Sequence, residues 1–245
     1  MNLINLNIRK ERKKNTPPLW VKEIKRNFLI RRLYKKYRSI CDRDIFSKRC
    51  RIDNKGYGSF SKTIRGSNNS IVIGENAQLI ETEFHIIGSN NNIAIGNNVF
   101  LGKNCSLWIE GNNIQIIIGD NSTFTHNVYF DAQENNTYIK VGEDCMFSHQ
   151  IYIRTSDAHP IFDMNTGQRT NYAKSVIIGN HVWIAPDTKI MKGAQIEDGC
   201  IIGTWSMVNG FISKNTLAVG VPAKMIKSNI QWSRDDIIFN DKKNK

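Results

Sequence analysis

Among the chain's five histidines, His159 has the setting best suited to chemistry. It lies near the start of the stretch SDAHPIFDMNTGQRTNYAK (156–174), which interrupts a six-residue pattern running on either side. Imidazole titrates near neutrality, so it suits removal of a proton from a hydroxyl that is itself a very weak acid. A lone histidine is ordinarily structural, and what sets His159 apart is its place at the head of a long break. Asp157, two residues earlier, reads either as a carboxylate orienting the imidazole or as a cap of the turn. The five cysteines (Cys41, Cys50, Cys105, Cys145, Cys200) form no C-x-x-C pair and follow no secretory leader. Neither a disulfide framework nor a metal site is expected, and a reducing cytoplasm is the natural compartment.

The elements that must position His159 are visible as a repeat. Ile178, Ile184, Ile190, Ile196, Ile202 and Val208 fall at every sixth position. That period fits neither a helix nor plain strand alternation, but it fits a short strand, a turn and another short strand. Upstream, Ile73-Gly74, Ile95-Gly96, Ile118-Gly119 and Val141-Gly142 recur at 22, 23 and 23 residues. Each is preceded by an Asn-rich corner: SNN at 67–69 and 89–91, GNN at 111–113, ENN at 134–136. Hexads continue within these units, as in Ile95/Leu101/Leu107, Ile118/Phe124/Phe130 and Val141/Phe147/Ile153. The spacing predicts an all-β solenoid of stacked triangular coils, with aliphatic residues inward and Asn, Asp or Gly at the corners. No coil buries its apolar face alone, so stacking creates the core.

The ends read differently. Residues 1–51 hold 17 Lys and Arg against 4 Asp and Glu, while the rest holds 17 against 18. The formal charge of +12 therefore belongs to the N-terminal segment. The near-neutral repeat offers no recognition helix or basic aromatic platform, so nucleic acid is not the expected partner. Residues 1–16 read as a flexible basic arm and 17–50 as an amphipathic basic helical segment. Its apolar stripe includes Trp20, Ile24 and Phe28. Such a segment either packs on protein or lies on an anionic membrane or acidic glycan. No run reaches the roughly 18–20 apolar residues that span a bilayer. The expected location is cytoplasmic, with peripheral contact at the inner membrane face left open. Residues 51–230 form the expected repeat domain, with its loop at 156–174, and 231–245 a C-terminal tail.

Four stretches carry a family resemblance: VGEDCMFS (141–148), SDAHPI (156–161), IIGNHVWIAPDTKIMKGAQIEDGCIIGTWSMV (177–208) and AVGVPAKMI (218–226). With them the chain resembles the hexapeptide-repeat acyltransferases, in particular bacterial O-acetyltransferases of capsular and other surface polysaccharides. The resemblance implies a left-handed parallel β-helix, against the usual right-handed crossover rule. It also implies a homotrimer with active sites between neighbouring chains, acetyl-CoA as donor, and a sugar or polysaccharide acceptor. His159 would then be the general base for direct transfer, with no nucleophilic Ser or Cys. Amides near Ala185 would be candidates to face the developing oxyanion.

The same resemblance supplies the other candidate contacts. Trp183 would wall the acceptor or the pantetheine arm, which would run past Ala185 and Thr204. Lys224 and Lys227 would meet the phosphates of CoA. Trp205 departs from the small residue common at its place, and residues 1–50 lack the helical cap of the maltose and galactoside acetyltransferases. A small-molecule or sugar-nucleotide acetyltransferase and a non-catalytic glycan-binding scaffold are the alternatives on this fold. A γ-carbonic-anhydrase-like zinc site would need His126, His149 and His181 to converge.

Overall fold

The computed structural model describes residues 47–235. The basic arm and nearly all of the expected helical segment lie outside the described residues. Of that segment only 47–50 are seen, and Ser47–Lys48 is a strand rather than a helix. It pairs in parallel with Tyr57–Ser67.

The described chain is a parallel β-solenoid. One sheet has eight stacked strands, from Arg51–Asn54 through Gln115–Ile118 and Val176–Ile178 to Phe211–Ile212. A thirteen-stranded sheet supplies the other two sides, because its longer strands bend around a corner. Thr123–Gln133 shows this bend, pairing with Phe100–Lys103 at its start and with Ser106–Glu110 at its end. Among the described strands every pairing is parallel except the last. There Thr216–Gly220 turns back through a cis Val221–Pro222 peptide into antiparallel Ala223–Ser228.

Register explains the six-residue period. Ile71, Ile93, Ile116, Ile139 and Val176 stand above one another, as do Ile73, Ile95, Ile118, Val141, Ile178, Ile196 and Ile212. Ile178, Ile184, Ile190, Ile196, Ile202 and Val208 are all fully buried. Four buried phenylalanines thicken the middle of the core; Phe124 packs on Phe147 at 4.6 Å and edge-on to Phe130 at 5.4 Å. Each such ring removed from water contributes about 2–3 kcal/mol to the driving force.

The corners satisfy two demands. Backbone must turn through positive φ, and successive coils must approach closely. Asn76, Asn98 and Asn121 take φ values of 55–60°, and their side-chain amides link coil to coil at 3.3 and 3.1 Å. Asn tolerates that conformation because its short amide bonds locally. The Ile-Gly repeat has a separate cause. A Cβ on Gly119 would lie 2.5 Å from the carbonyl carbon of Gly142, so glycine must stack on glycine there.

Candidate active site

The solenoid breaks between Arg154 and Val176, close to the expected loop. Two neighbouring corners clamp this excursion. From the coil before it, Glu134 receives both guanidinium nitrogens of Arg169, at 2.8 and 2.7 Å, and the hydroxyl of Ser156 at 2.5 Å. From the coil after it, Lys192 donates to Asp157 at 2.5 Å and to the Asn171 carbonyl at 3.1 Å. The Lys192 and Asn171 hydrogen bonds hold the Asp157 carboxyl below its ordinary range, and Arg169 and Ser156 do the same for Glu134. Both therefore stay ionised and paired at neutral pH. The outer part folds on itself, with Asp163 accepting from the amides of Asn165 and Thr166, and Thr170 donating to the Ile161 carbonyl.

His159 is exposed on this clamped loop, and among the described residues its imidazole makes no hydrogen bond. Its backbone carbonyl accepts from the Asn171 amide at 2.8 Å. Asp157 does not orient the ring: its bonded oxygen serves Asn171 and Lys192, so it ties the loop to the next coil. The Ala185 amide is likewise spent, donating to the Ile202 carbonyl at 2.9 Å in the parallel ladder. Of the amides near Ala185, its own is thus taken by the ladder, and a ladder amide cannot serve two acceptors well.

The other expected residues lie on the solenoid surface. Trp183 is half-buried in a short strand between Met146 and Ile201. Thr204 is exposed, and so is Trp205, which holds φ 59° at a corner where Asn104, Asn127, Gln150 and Asp187 stand in other coils. A bulky side chain rarely takes that conformation. Lys224 and Lys227 are exposed on the antiparallel strand, opposite Val219 and Leu217. No hydrogen bond, ion pair or ring contact among the described residues joins His159 to Trp183, Ala185, Thr204, Lys224 or Lys227.

The C-terminal segment is more than a tail. Trp232 is buried, stacks on His181 at 4.0 Å and lies 6.1 Å from Trp183. Its indole N–H donates to the His181 carbonyl at 2.9 Å. The His181 ring meets Asp144 at 2.7 Å and the Trp232 carbonyl at 3.1 Å. Both partners are acceptors, so both contacts are hydrogen bonds only when the ring carries both protons. Arg234 completes the clasp on Asp144 at 2.7 Å and on the Cys145 carbonyl at 2.8 Å. Burial pushes the Asp144 carboxyl up, but hydrogen bonds from His181 and Arg234 outweigh it and leave it lowered.

His126 and His149 stack in register at 4.9 Å, while His181 is held in the clasp, so the three do not converge. Cys105 and Cys145 are buried, and burial pushes their thiols up to about 11 and about 12, which makes them core residues rather than nucleophiles. Glu134, Arg169, Asn171 and Lys192 were not singled out by sequence. Their pairs span 35 residues (134 to 169, 157 to 192), a separation that carries no local pattern.

A family model described as "Bacterial transferase hexapeptide (six repeats)" matches residues 175–210. The chain is similar to the polysialic acid O-acetyltransferase of Escherichia coli O1:K1 / APEC, 38% identical over 94 residues, which are 37% of this chain and 31% of that protein. The polysialic acid O-acetyltransferase of Neisseria meningitidis is 35% identical over 83 residues, 34% of this chain and 39% of that protein. These alignments thus span about a third of the curated relatives' length. Two solved structures match more broadly. The polysialic acid O-acetyltransferase OatWY has TM-score 0.68 and 27% identity, covering 82% of this chain and 97% of that one. The polySia specific acetyltransferase NeuO has TM-score 0.56 and 30% identity, covering 77% and 90%.

Proposed function

Because this chain belongs to the hexapeptide-repeat acyltransferase family, we propose that it is an O-acetyltransferase acting on a surface polysaccharide, with His159 as general base. The acceptor class follows from the relatives, which act on polysialic acid by name. A sialic-acid-containing or similarly acidic glycan is therefore the substrate to try first. The observation that carries the reading is His159 itself: an exposed imidazole on a loop clamped to rigid coils through Glu134 and Lys192.

In this reading His159 takes the proton of the acceptor hydroxyl, which raises the oxygen's nucleophilicity at the moment of attack. Acetyl-CoA supplies the acyl group as a thioester. The exposed Lys224 and Lys227 offer cations for its phosphates, and Trp183 and Thr204 offer a wall for its arm. Among the described residues no hydrogen bond, ion pair or ring contact joins these groups to His159. A neighbouring chain is proposed to bring them together, as the trimer of the family implies. The basic N-terminal 51 residues are proposed to hold the enzyme at an anionic membrane face or an acidic glycan. Deleting residues 1–40 should then weaken acceptor affinity or membrane association; unchanged values would remove the proposal.

The decisive experiment is acetyl-CoA turnover on oligosialic acid, followed by thiol release and by the acetyl mass increment on the glycan. Wild-type protein should show both. A His159→Asn protein with the wild-type rate would sink the assignment of the base.

A further inference from the structure

We propose that Asn171 is the positioning residue for His159, fixing the chain at it and on both sides of it so that the imidazole is presented from one fixed backbone position. This rests on His159 being the base. Asn171 is 9% exposed, buried beneath a loop whose residues 158–162 and 164–168 are exposed. Its amide nitrogen donates to the His159 carbonyl at 2.8 Å and to the Asp157 carboxylate at 2.9 Å. Its amide oxygen accepts from the Ile161 N–H at 2.7 Å and from Arg169 Nε at 3.2 Å. One side chain thus binds residues two before and two after the histidine, as well as the histidine itself.

The surrounding groups leave that side chain no second orientation. Lys192 holds both the Asp157 carboxylate and the Asn171 carbonyl, and Arg169 reaches the same carbonyl at 3.2 Å while paired to Glu134. Flipping the Asn171 amide would set its oxygen against the Asp157 carboxylate and the His159 carbonyl, and its N–H against the Arg169 and Ile161 donors. The backbone between is also constrained. Ala158 takes φ 66°, a conformation uncommon for a non-glycine residue, and its N–H is held by Ser156 Oγ at 3.0 Å. These four hydrogen bonds set where the His159 backbone sits, which matters for a base because proton transfer depends on sub-ångström placement, and a shift of about 1 Å costs about 100-fold in rate.

The test compares Asn171→Ala, Asn171→Asp, Lys192→Met and Lys192→Arg with wild type and His159→Asn, using acetyl-CoA and an oligosialic acid acceptor. Asn171→Asp keeps the accepting oxygen but replaces the donor with a second acceptor facing Asp157. Expected are kcat losses of about 100-fold for both Asn171 variants, with KM for acetyl-CoA unchanged and the melting temperature of the solenoid within a few degrees of wild type. The pH at which the acid limb of kcat/KM falls should not move, because the base is misplaced rather than replaced. Lys192→Met should lose less, and Lys192→Arg should recover that loss. Wild-type kcat in Asn171→Ala with an inactive His159→Asn overturns the positioning role while the base stands. Full activity in His159→Asn overturns the base instead. Should Asn171→Ala prove insoluble, Lys192→Met with an unchanged kcat would equally count against the proposal.

Discussion

His159 and His181 are 22 residues apart, and each stands beside a carboxylate-bearing anchor, yet the structure uses them in opposite ways. His181 spends both ring nitrogens, its face and its backbone carbonyl on Asp144 and Trp232. His159 spends only its backbone carbonyl, and its anchor Asp157 turns to Lys192. In the clasp the side chain is the fastener; in the loop the backbone is fastened so that the side chain stays free. On the proposal that His159 is the base, a structural and a reactive histidine differ in where their hydrogen bonds are made, and a nearby Asp by itself does not tell.

The sharpest way to break this contrast is to replace both rings. His159→Ala should lower kcat by about 1,000-fold, within the usual span of general-base removal, with little change in melting temperature. His181→Ala should instead cost about 1–2 kcal/mol of stability, from lost hydrogen bonds, with a much smaller effect on kcat. Parallel melting curves and steady-state rates decide it, and matching behaviour of the two variants would end the distinction. Next in size, Trp232→Ala should destabilise the protein by about 3 kcal/mol, since a buried indole and its N–H bond are both removed. Limited proteolysis should then release the C-terminus before the loop at 156–174.

Acid sharpens the comparison further. Glu134, Asp157 and Asp144 are all lowered in the folded state, so each contributes stability that is present above the unfolded carboxylate value and lost as pH falls through the folded one. The loop and the clasp should therefore both loosen below about pH 4. Each partly exposed pair is worth no more than about 1 kcal/mol. Asp157→Asn should remove its share of the acid dependence of loop proteolysis, leaving the share of Glu134, and leave that of the clasp untouched. The smallest effect concerns Trp205, whose φ of 59° suits Asn far better. Trp205→Asn should gain about 1 kcal/mol in a thermal or denaturant melt, by relieving left-handed strain. A loss of stability there would mean that the indole packs usefully on this chain.

Much of the scaffold was legible because it is local. An aliphatic residue at every sixth position has only one way to face inward throughout, and Ile178 through Val208 all do so. The Asn-rich corners announced positive φ, since few other side chains accept it, and Asn68, Asn90, Asn113 and Asn136 all take it. The break was equally plain as a loss of period over 156–174, within two residues of where the strand ends at Arg154, and it located the loop on which His159 stands. Which of its two readings Asp157 takes was not legible, because its distance to His159 along the chain says nothing of Lys192, one coil away. That the Ala185 amide is taken was hidden for a related reason: whether an N–H is free depends on the strand lying beside it.

By itself, then, the sequence determined the repeat, its inward face, its corners and the place where it is interrupted. Each of these depends on residues within a few positions of one another. The tertiary structure alone decided which groups meet across coils: Glu134 with Arg169, Asp157 with Lys192, and Asp144 with His181 and Arg234. Those partners lie 35 to 90 residues apart along the chain, on coils that rise about 4.8 Å each. The length of the loop and the return of the C-terminus set those separations, and neither leaves a periodic trace.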